Sequence, residues 1–238
     1  MQRPYHGGRQ NDDQEPLHMS AQPPSAIELE FARRYDQEHA RVCLQPRAQG
    51  LVERLAFWRE ERLVRNALKV AGEPGLILDV ACGVGRFWRV LAEHGNRVIL
   101  ASDPSQDILD HARTHHPQSL LKRIRTFQSS AFNIGLSENA VDCISCMHLF
   151  QHIACSEHRL ALLHEFHRVG RDTVIVAVRL SGRFKGRRSD EEGHAARPLV
   201  NKTELEAEFK QAGFCVLSHQ DFLPGFAPMR VYVLRKAG

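Results

Sequence analysis

The residues best suited to chemistry are an acid and two glycines that follow a short apolar strand, Leu76 to Val80. Asp79, Gly83 and Gly85 have the spacing D-x-x-x-G-x-G. Glycine at such a turn permits unusual dihedral angles and lets a ligand approach the backbone closely. A helix predicted directly after the turn offers free N–H groups and a partial positive charge. Asp79 can accept hydrogen bonds from an ammonium group or orient the turn.

Two classes of ligand use such a turn, and the third position of the pattern separates them. A dinucleotide fingerprint has glycine or alanine three residues after the second glycine, where this sequence has Trp88. An indole there prevents close packing of helix on strand, which disfavours a pyrophosphate. A sulfonium cofactor with an amino-acid tail needs only the acid and the two glycines. A glycine-rich turn without a ligand is the alternative.

A second acid, Asp103, ends the next predicted strand about 20 residues after the glycines, a distance typical of ribose recognition. A carboxylate there can accept hydrogen bonds from both ribose hydroxyls of an adenosine. Taken alone, Asp103 is explained better as a helix N-cap, because Pro104 suits the first turn of a helix. Together with the glycine turn, it indicates ribose binding.

Two histidines follow the fourth predicted strand, Val141 to Met147. His148 and His152 lie at its carboxyl edge, where ligands bind in open α/β sheets. Imidazole is a base suited to neutral pH, so we interpret both as candidate general bases or acceptor-positioning groups. Solvation of a following helix is the alternative for His152.

Cys143 and Cys146 do not predict a metal site, although two histidines follow them. Side chains three residues apart on a strand point to opposite faces, so these thiols cannot share one metal ion. The histidine pairs at 115–116 and 164–167 lack further ligands nearby in the sequence and are predicted to lie on the surface. We expect no metal.

Strands and helices alternate from Leu76 onward, which predicts a doubly wound α/β fold with a mostly parallel sheet. Predicted helices end near Gly95 and at Gly213, and the predicted strands begin at Leu76, Arg97, Thr126, Val141, Thr173, Phe214 and Met229. The loop between the last two strands contains two prolines and a glycine but no helix, so these strands should pair antiparallel.

The composition is that of a globular protein, with 238 residues, 42% hydrophobic and 25% charged side chains. It excludes wholesale disorder, and no apolar run is long enough for a membrane span. The net charge of +4 gives no case for nucleic acid. Six scattered cysteines do not form a disulfide framework, which favours the cytoplasm. We predict a disordered tail over 1–25, a helical cap over 26–72 and a core domain over 73–238.

The motifs above resemble those of the class I S-adenosylmethionine-dependent methyltransferases, of the small-molecule type often called type 11, over residues 73–238. The resemblance implies a Rossmann-like fold, whose seven-stranded sheet has a reversed last strand, with an N-terminal helical lid. Its cofactor would be S-adenosyl-L-methionine, bound by Asp79, Ala81, Gly83, Gly85, Asp103, Pro104, Ser130, Ala131, Phe132 and Met147. Ser130 stands where the family usually has an acid before the adenine-binding pair, and Val169 to Asp172 replaces a Pro-Gly-Gly turn.

The predicted helical lid supplies three further cofactor candidates, Tyr35, Arg59 and Arg62. By similarity to relatives whose N-terminal helix covers the site, either arginine could pair with the cofactor carboxylate. A solvated helix with i,i+3 charge pairs is an equal alternative. Between Arg179 and Arg188 five of ten residues are basic and none is acidic. That run indicates either an anionic acceptor, such as a phosphorylated sugar, a lipid head group or RNA, or a solvated loop.

The leading hypothesis is therefore a cytoplasmic methyltransferase acting on a small-molecule acceptor, with an anionic acceptor favoured by the basic run. An RNA or protein methyltransferase is the alternative among enzymes. The mild net charge and the lack of an appended recognition domain count against RNA. A non-catalytic protein that binds the cofactor and acts as a regulator or scaffold is the alternative from another class. The acceptor atom and the oligomeric state are left open by the sequence.

Overall fold

The computed structural model describes residues 50–181, 199–223 and 229–237. The predicted tail, Tyr35 and the basic residues from 183 to 188 lie outside this part of the chain. The strands are β1 Leu76–Val80, β2 Val98–Asp103, β3 Ile124–Gln128, β4 Val141–Cys146, β5 Gly170–Arg179, β6 Phe214–Asp221 and β7 Met229–Lys236. The helices are α1 Leu51–Val70, α2 Trp88–Leu91, α3 Gln106–His115, α4 Gln118–Leu121, α5 Ser156–Val169 and α6 Lys202–Gln211, with a 3-10 turn at Phe150–His152.

The seven strands form one sheet in the order β3-β2-β1-β4-β5-β7-β6. The first five strands pair in parallel, whereas β7 pairs antiparallel with both β5 and β6. The predicted doubly wound sheet with a reversed last strand is therefore confirmed. Because β1 to β5 are parallel, their last residues meet at one side of the sheet, which we call the carboxyl edge.

The two faces of the sheet are covered by different helices and form two apolar clusters. One cluster joins the sheet to α5 and α6, and the other joins it to α1, α2 and α3. Cys146 belongs to the first cluster and Cys143 to the second. The two thiols therefore lie on opposite faces of β4, as the strand periodicity predicts.

Helix α1 is buried only in its second half. It begins after Gly50. Its second half packs on the sheet through Leu63, Val64, Ala67 and Leu68, whereas the apolar residues Leu51, Leu55 and Trp58 of its first half are exposed. Only the second half of α1 therefore contributes to the described core.

Helix α2 is shorter than the sequence pattern predicts. A helix was expected directly after Gly85 and up to Gly95, but α2 spans only Trp88–Leu91. Gly83 and Gly85 have φ angles of +56° and +72°, which are outside the helical region and delay its start. At the other end, Arg97 and Arg123 donate to the carbonyls of Leu91 and Ala92, so side chains take the place of further helical hydrogen bonds.

A buried ion pair fixes α5 to α6. Arg159 donates to Glu208 through Nε at 2.8 Å and Nη2 at 2.6 Å, and both side chains are almost fully buried. The Ser156 hydroxyl donates to the same carboxylate at 2.6 Å. Arg159 Nη1 also donates to the carbonyl of Ala154 at 2.6 Å. The pair thereby holds the segment that follows the 3-10 turn at the carboxyl edge.

We predict that Glu208→Ala lowers the free energy of unfolding by about 3–5 kcal/mol, because it removes the buried partner of the Arg159 charge and leaves the exposed Glu204, 3.6 Å away, as its carboxylate partner among the described residues. Urea unfolding measures the loss. Asp110→Ala is the control, since the Arg113–Asp110 pair is exposed and should contribute less than about 1 kcal/mol. Equal losses in the two variants would contradict a special role for the buried pair.

Candidate active site

The predicted cofactor residues come together at the carboxyl edge because their strands are neighbours. Asp79 lies opposite Ala101 of β2 and Ser145 of β4, and Asp103 lies opposite Gln128 of β3. The glycine turn after β1, the end of β2 and the segments after β3 and β4 therefore adjoin one another. The same four segments contain the cofactor motifs that were identified in the sequence.

Asp103 ties the glycine turn to the end of β2. Its Oδ2 accepts the Gly83 N–H at 2.9 Å, and its Oδ1 accepts the Ser105 N–H at 3.1 Å. The carboxylate is fully buried. A carboxylate oxygen has two lone pairs, so each oxygen can accept more than one hydrogen bond. The N-cap of α3 is Ser105, whose hydroxyl accepts the Ile108 N–H, so the N-cap alternative for Asp103 is wrong.

The glycine turn has an unusual backbone in three places. Ala81, Gly83 and Gly85 have φ angles of +52°, +56° and +72°. An alanine in this left-handed region costs roughly 1–2 kcal/mol. Such strain persists only where the surrounding structure fixes the backbone, and it is concentrated at functional sites. The turn thus has the features of a preformed backbone cradle.

Asp79 is a buried acid directly below this turn. Burial raises its pKa to about 7, against the opposing effects of the Ser145 hydroxyl and the Trp88 indole. The negative charge of Asp103 raises the pKa further. A cationic group placed beside Asp79 would stabilise the carboxylate and lower this pKa. The environment of Asp79 therefore suits the ammonium group of an amino acid.

The segment after β3 offers polar atoms where an adenine is expected. The Ser130 hydroxyl accepts the Phe132 N–H at 3.2 Å, so the serine in place of the usual acid stabilises its own turn. Ala131 is buried beside it. The Ser129 hydroxyl is buried and has no hydrogen-bond partner among the described residues. Sequence reasoning missed Ser129, although its place directly after β3 is a usable signal.

The residues after β4 lie on the other side of the glycine turn. Met147 is buried and His148 is half-buried. The His148 ring stacks on Phe87, with 5.6 Å between centroids and 26° between planes. This contact joins the histidine to the turn that carries Gly85. His152 belongs to the 3-10 turn, where it is half-buried, and not to a following helix.

The two arginines predicted to pair with the cofactor carboxylate have other partners. Arg59 donates to the carbonyls of Phe222 and Asp221, at the end of β6, at 2.8 and 3.0 Å. Arg62 is exposed and lies 5.7 Å above the ring of Trp58, one turn earlier on α1. The structure therefore does not bring these guanidinium groups to the glycine turn.

A different pair connects α1 to the glycine turn. Glu60 forms a salt bridge of 2.6 Å with Arg86, the residue after Gly85. The Arg86 guanidinium lies 4.6 Å above the ring of Phe57, which itself contacts Phe87 with 6.3 Å between centroids. Neither Glu60 nor Arg86 was singled out from the sequence. Their contacts make α1 a wall of the site next to His148.

Neither a metal site nor a membrane-spanning helix is found in the described ranges. No group of three or more His, Cys, Asp or Glu side chains there is arranged to hold a metal ion. None of the helices in the described ranges has the length and apolarity that a bilayer span requires.

The fold and the motifs agree with known methyltransferases. A family model described as a methyltransferase domain matches residues 77–173. No curated protein matches the chain. Magnesium protoporphyrin IX methyltransferase from Synechocystis, solved with bound S-adenosylhomocysteine, has a TM-score of 0.65 at 14% identity, with 87% of this chain and 97% of that chain covered. A second structure of that enzyme contains S-adenosylmethionine.

Two further solved structures have the same fold. An S-adenosylmethionine-dependent methyltransferase from Clostridium acetobutylicum has a TM-score of 0.60 at 15% identity, with coverage of 88% of this chain and 99% of that chain. The methyltransferase domain of a bacterial Hen1 protein has a TM-score of 0.57 at 19% identity, with 76% of this chain and 98% of that chain covered.

Residues 77–173 match a methyltransferase domain, and the described fold is shared with S-adenosylmethionine-dependent methyltransferases. The cofactor of those neighbours is S-adenosylmethionine. The residues present fit that cofactor. The strained glycine turn offers a backbone cradle, and Asp79 offers a buried acid. The buried Ser129 hydroxyl, which has no partner among the residues described, offers a polar contact.

Gly85 lies against the Trp88 side chain, so a larger residue at this position should destabilise the fold. A Cβ at Gly85 would lie 2.3 Å from Trp88 Cδ2, so any larger residue must displace the buried indole or shift the backbone. We predict that Gly85→Ala lowers the free energy of unfolding by about 2 kcal/mol or more. Gly95→Ala is the control, because its Cβ would meet nothing within 4 Å. Similar denaturation curves for both variants would contradict the packing described.

The raised pKa of Asp79 predicts opposite effects of Asp79→Asn on stability and on ligand binding. An acid whose folded pKa of about 7 exceeds its unfolded value makes stability fall as pH rises between about 4 and 7. The neutral amide lacks this loss, so at pH 8 it should raise the free energy of unfolding by about 2–4 kcal/mol.

Cofactor affinity should change in the other direction. A cationic ligand group favours the carboxylate, so wild-type affinity should rise with pH between roughly 5.5 and 7.5. Asp79→Asn should bind weakly and without this rise. Calorimetry with S-adenosylhomocysteine at several pH values measures both proteins. The same pH dependence in the two would show that another group titrates.

Proposed function

We propose that this chain transfers the methyl group of S-adenosylmethionine to a small-molecule acceptor that carries a negative charge. The observation that carries the proposal is the meeting of four segments at the carboxyl edge. They supply a buried acid, a strained glycine turn, a second acid and a histidine, in the places where open α/β sheets bind ligands.

The cofactor supplies a methyl group on a positively charged sulfonium. In the proposal, Asp79 and the glycine turn hold its amino-acid part, and Asp103 accepts hydrogen bonds from its ribose. Pro104 and the segment from Ser129 to Phe132 surround the adenine, and the buried Met147 packs beside the reacting centre. Each role uses a group that lies at the carboxyl edge and is buried or half-buried there.

His148 is the proposed group that faces the acceptor. Its stacking on Phe87 holds the ring between the glycine turn and the end of β4. From there the imidazole can orient an acceptor hydroxyl or amine, or remove its proton, near neutral pH. Holding acceptor and methyl group in line contributes several kcal/mol to such a displacement. His152, in the next turn, is the second candidate for this role.

The charge of the acceptor is inferred from the end of β5. Arg179, the last residue of β5, is half-buried at the carboxyl edge, opposite Met229 of β7. Four further basic residues follow at 183, 185, 187 and 188. A guanidinium at this place suits a carboxylate or a phosphate. One structural neighbour is named for a small-molecule acceptor, magnesium protoporphyrin IX, which supports an acceptor of that size.

Methyl-labelled cofactor distinguishes the candidate acceptors. Purified protein and labelled S-adenosylmethionine are added to a cell extract, and the label is followed by mass spectrometry in small molecules, RNA and protein. Label in an anionic small molecule is the expected result. Label in RNA or protein would overturn the small-molecule acceptor. Cofactor binding without transfer to any fraction would favour a regulator or scaffold.

Salt should weaken acceptor binding if the basic run contributes to it. Exposed charges are screened over about 8 Å at physiological ionic strength, so the KM for the acceptor should rise with salt. Changing Arg183, Lys185, Arg187 and Arg188 together to Ser should raise this KM and remove most of its salt dependence, while cofactor affinity stays the same. Steady-state kinetics at several salt concentrations provide the test. Equal salt dependence in both proteins would leave the run as a solvated loop.

A further inference from the structure

Trp88 occupies the space directly under the glycine turn. It is the first residue of α2 and is fully buried. Its indole lies so close to Gly85 that a Cβ there would be 2.3–2.6 Å from three ring atoms. The large residue that argues against a pyrophosphate in the sequence therefore has a positive role, because it supports the backbone at the second glycine.

His116 contacts both Trp88 and the turn. Its ring lies 4.9 Å from the Trp88 ring, tilted by 40°, and its Nε2 is 2.9 Å from the Val84 carbonyl oxygen. A carbonyl only accepts, so Nε2 carries the hydrogen. His116 was predicted to lie on the surface, but it is half-buried, because the chain after α3 turns back toward β1.

Three consecutive residues of the turn are thus held by three different parts of the chain. The Gly83 N–H is bound by Asp103 at the end of β2, the Val84 carbonyl by His116 after α3, and Gly85 by the indole of Trp88. A turn with two glycines is otherwise among the most flexible of backbones. Fixing it in one shape before the ligand arrives reduces the entropy lost on binding.

We propose that His116 is a positioning residue for the cofactor, acting through the Val84 carbonyl and through Trp88 to hold the glycine turn in its binding shape. This inference rests on the proposed placement of the cofactor at that turn. It assigns to His116 and Trp88 a function in cofactor affinity although neither side chain is proposed to touch the cofactor.

The contact geometry suggests a matched set of variants. His116→Phe keeps a ring against Trp88 but removes the hydrogen bond to Val84. His116→Gln keeps an N–H at about the distance of Nε2 from the backbone. His115→Phe is the control, because His115 is exposed and bonds within its own helix, to the His111 carbonyl.

Calorimetry with S-adenosylhomocysteine measures the effect. One neutral hydrogen bond is worth about 0.5–1.5 kcal/mol, so His116→Phe should raise the dissociation constant about 3- to 10-fold. His116→Gln should restore most of the affinity, and His115→Phe should leave it unchanged. A purely structural residue would lower the melting temperature but would not give this order of affinities in folded proteins.

Trp88 also provides a spectroscopic reporter. The chain has two tryptophans, so Trp58→Phe leaves Trp88 as the only one. We expect the Trp88 emission of this variant to change when S-adenosylhomocysteine is added, and the change to be smaller after His116→Phe. In the unsubstituted protein, nitrogen NMR of the His116 ring should show the Nε2–H tautomer and a shift of the ring signals when the ligand is added. This measurement needs no variant.

The outcomes separate this inference from the proposed function. If the unsubstituted protein does not bind S-adenosylhomocysteine, the cofactor placement fails and this inference fails with it. If it binds, but His116→Phe binds equally well or His116→Gln is as weak as His116→Phe, only the role of His116 is overturned. His116 ring signals that do not respond to the ligand would overturn it as well.

Discussion

The site depends on the buried hydrogen bond that the Gly83 N–H donates to Asp103. It joins the turn after β1 to the end of β2 at 2.9 Å, which is possible because these two strands are adjacent and parallel. A buried carboxylate is costly unless donors surround it. Asp103 meets this requirement in part with the backbone amides of Gly83 and Ser105, and in the proposed site the same carboxylate accepts the ribose hydroxyls. This one hydrogen bond thus fixes both the shape of the glycine turn and the position of the Asp103 carboxylate.

Asp79 lowers the stability of the folded protein when it is charged, and in the proposed site the same charge favours ligand binding. Burial without a full set of donors raises its pKa to about 7, so the charged form is unfavourable in the folded protein. A ligand with a positive charge reverses this cost. S-adenosylmethionine carries positive charge on both its sulfonium and its ammonium group. In the proposed site, the ligand would thus compensate for a locally unfavourable group.

The sheet and the glycine turn were predictable from the sequence, whereas several side-chain partners were not. The reversed last strand followed from a connection too short for a helix, and the two faces of β4 followed from strand periodicity. The shortness of α2 was not predicted, because the spacing of apolar residues does not show that positive φ angles at the glycine turn delay the start of the helix. The partners of Arg59 could not be predicted, because the carbonyls of Asp221 and Phe222 lie about 160 residues away in the sequence. Long flexible side chains bind partners that only the tertiary structure brings into reach.

A crystal structure of the protein with S-adenosylhomocysteine tests the central claim most directly. The account predicts that the ligand lies across the carboxyl ends of β1, β2 and β4. Its ribose should be within hydrogen-bond distance of Asp103, its amino group near Asp79, and its sulfur on the side of the glycine turn that faces His148. A ligand bound elsewhere, or a ribose that does not contact Asp103, would contradict the account.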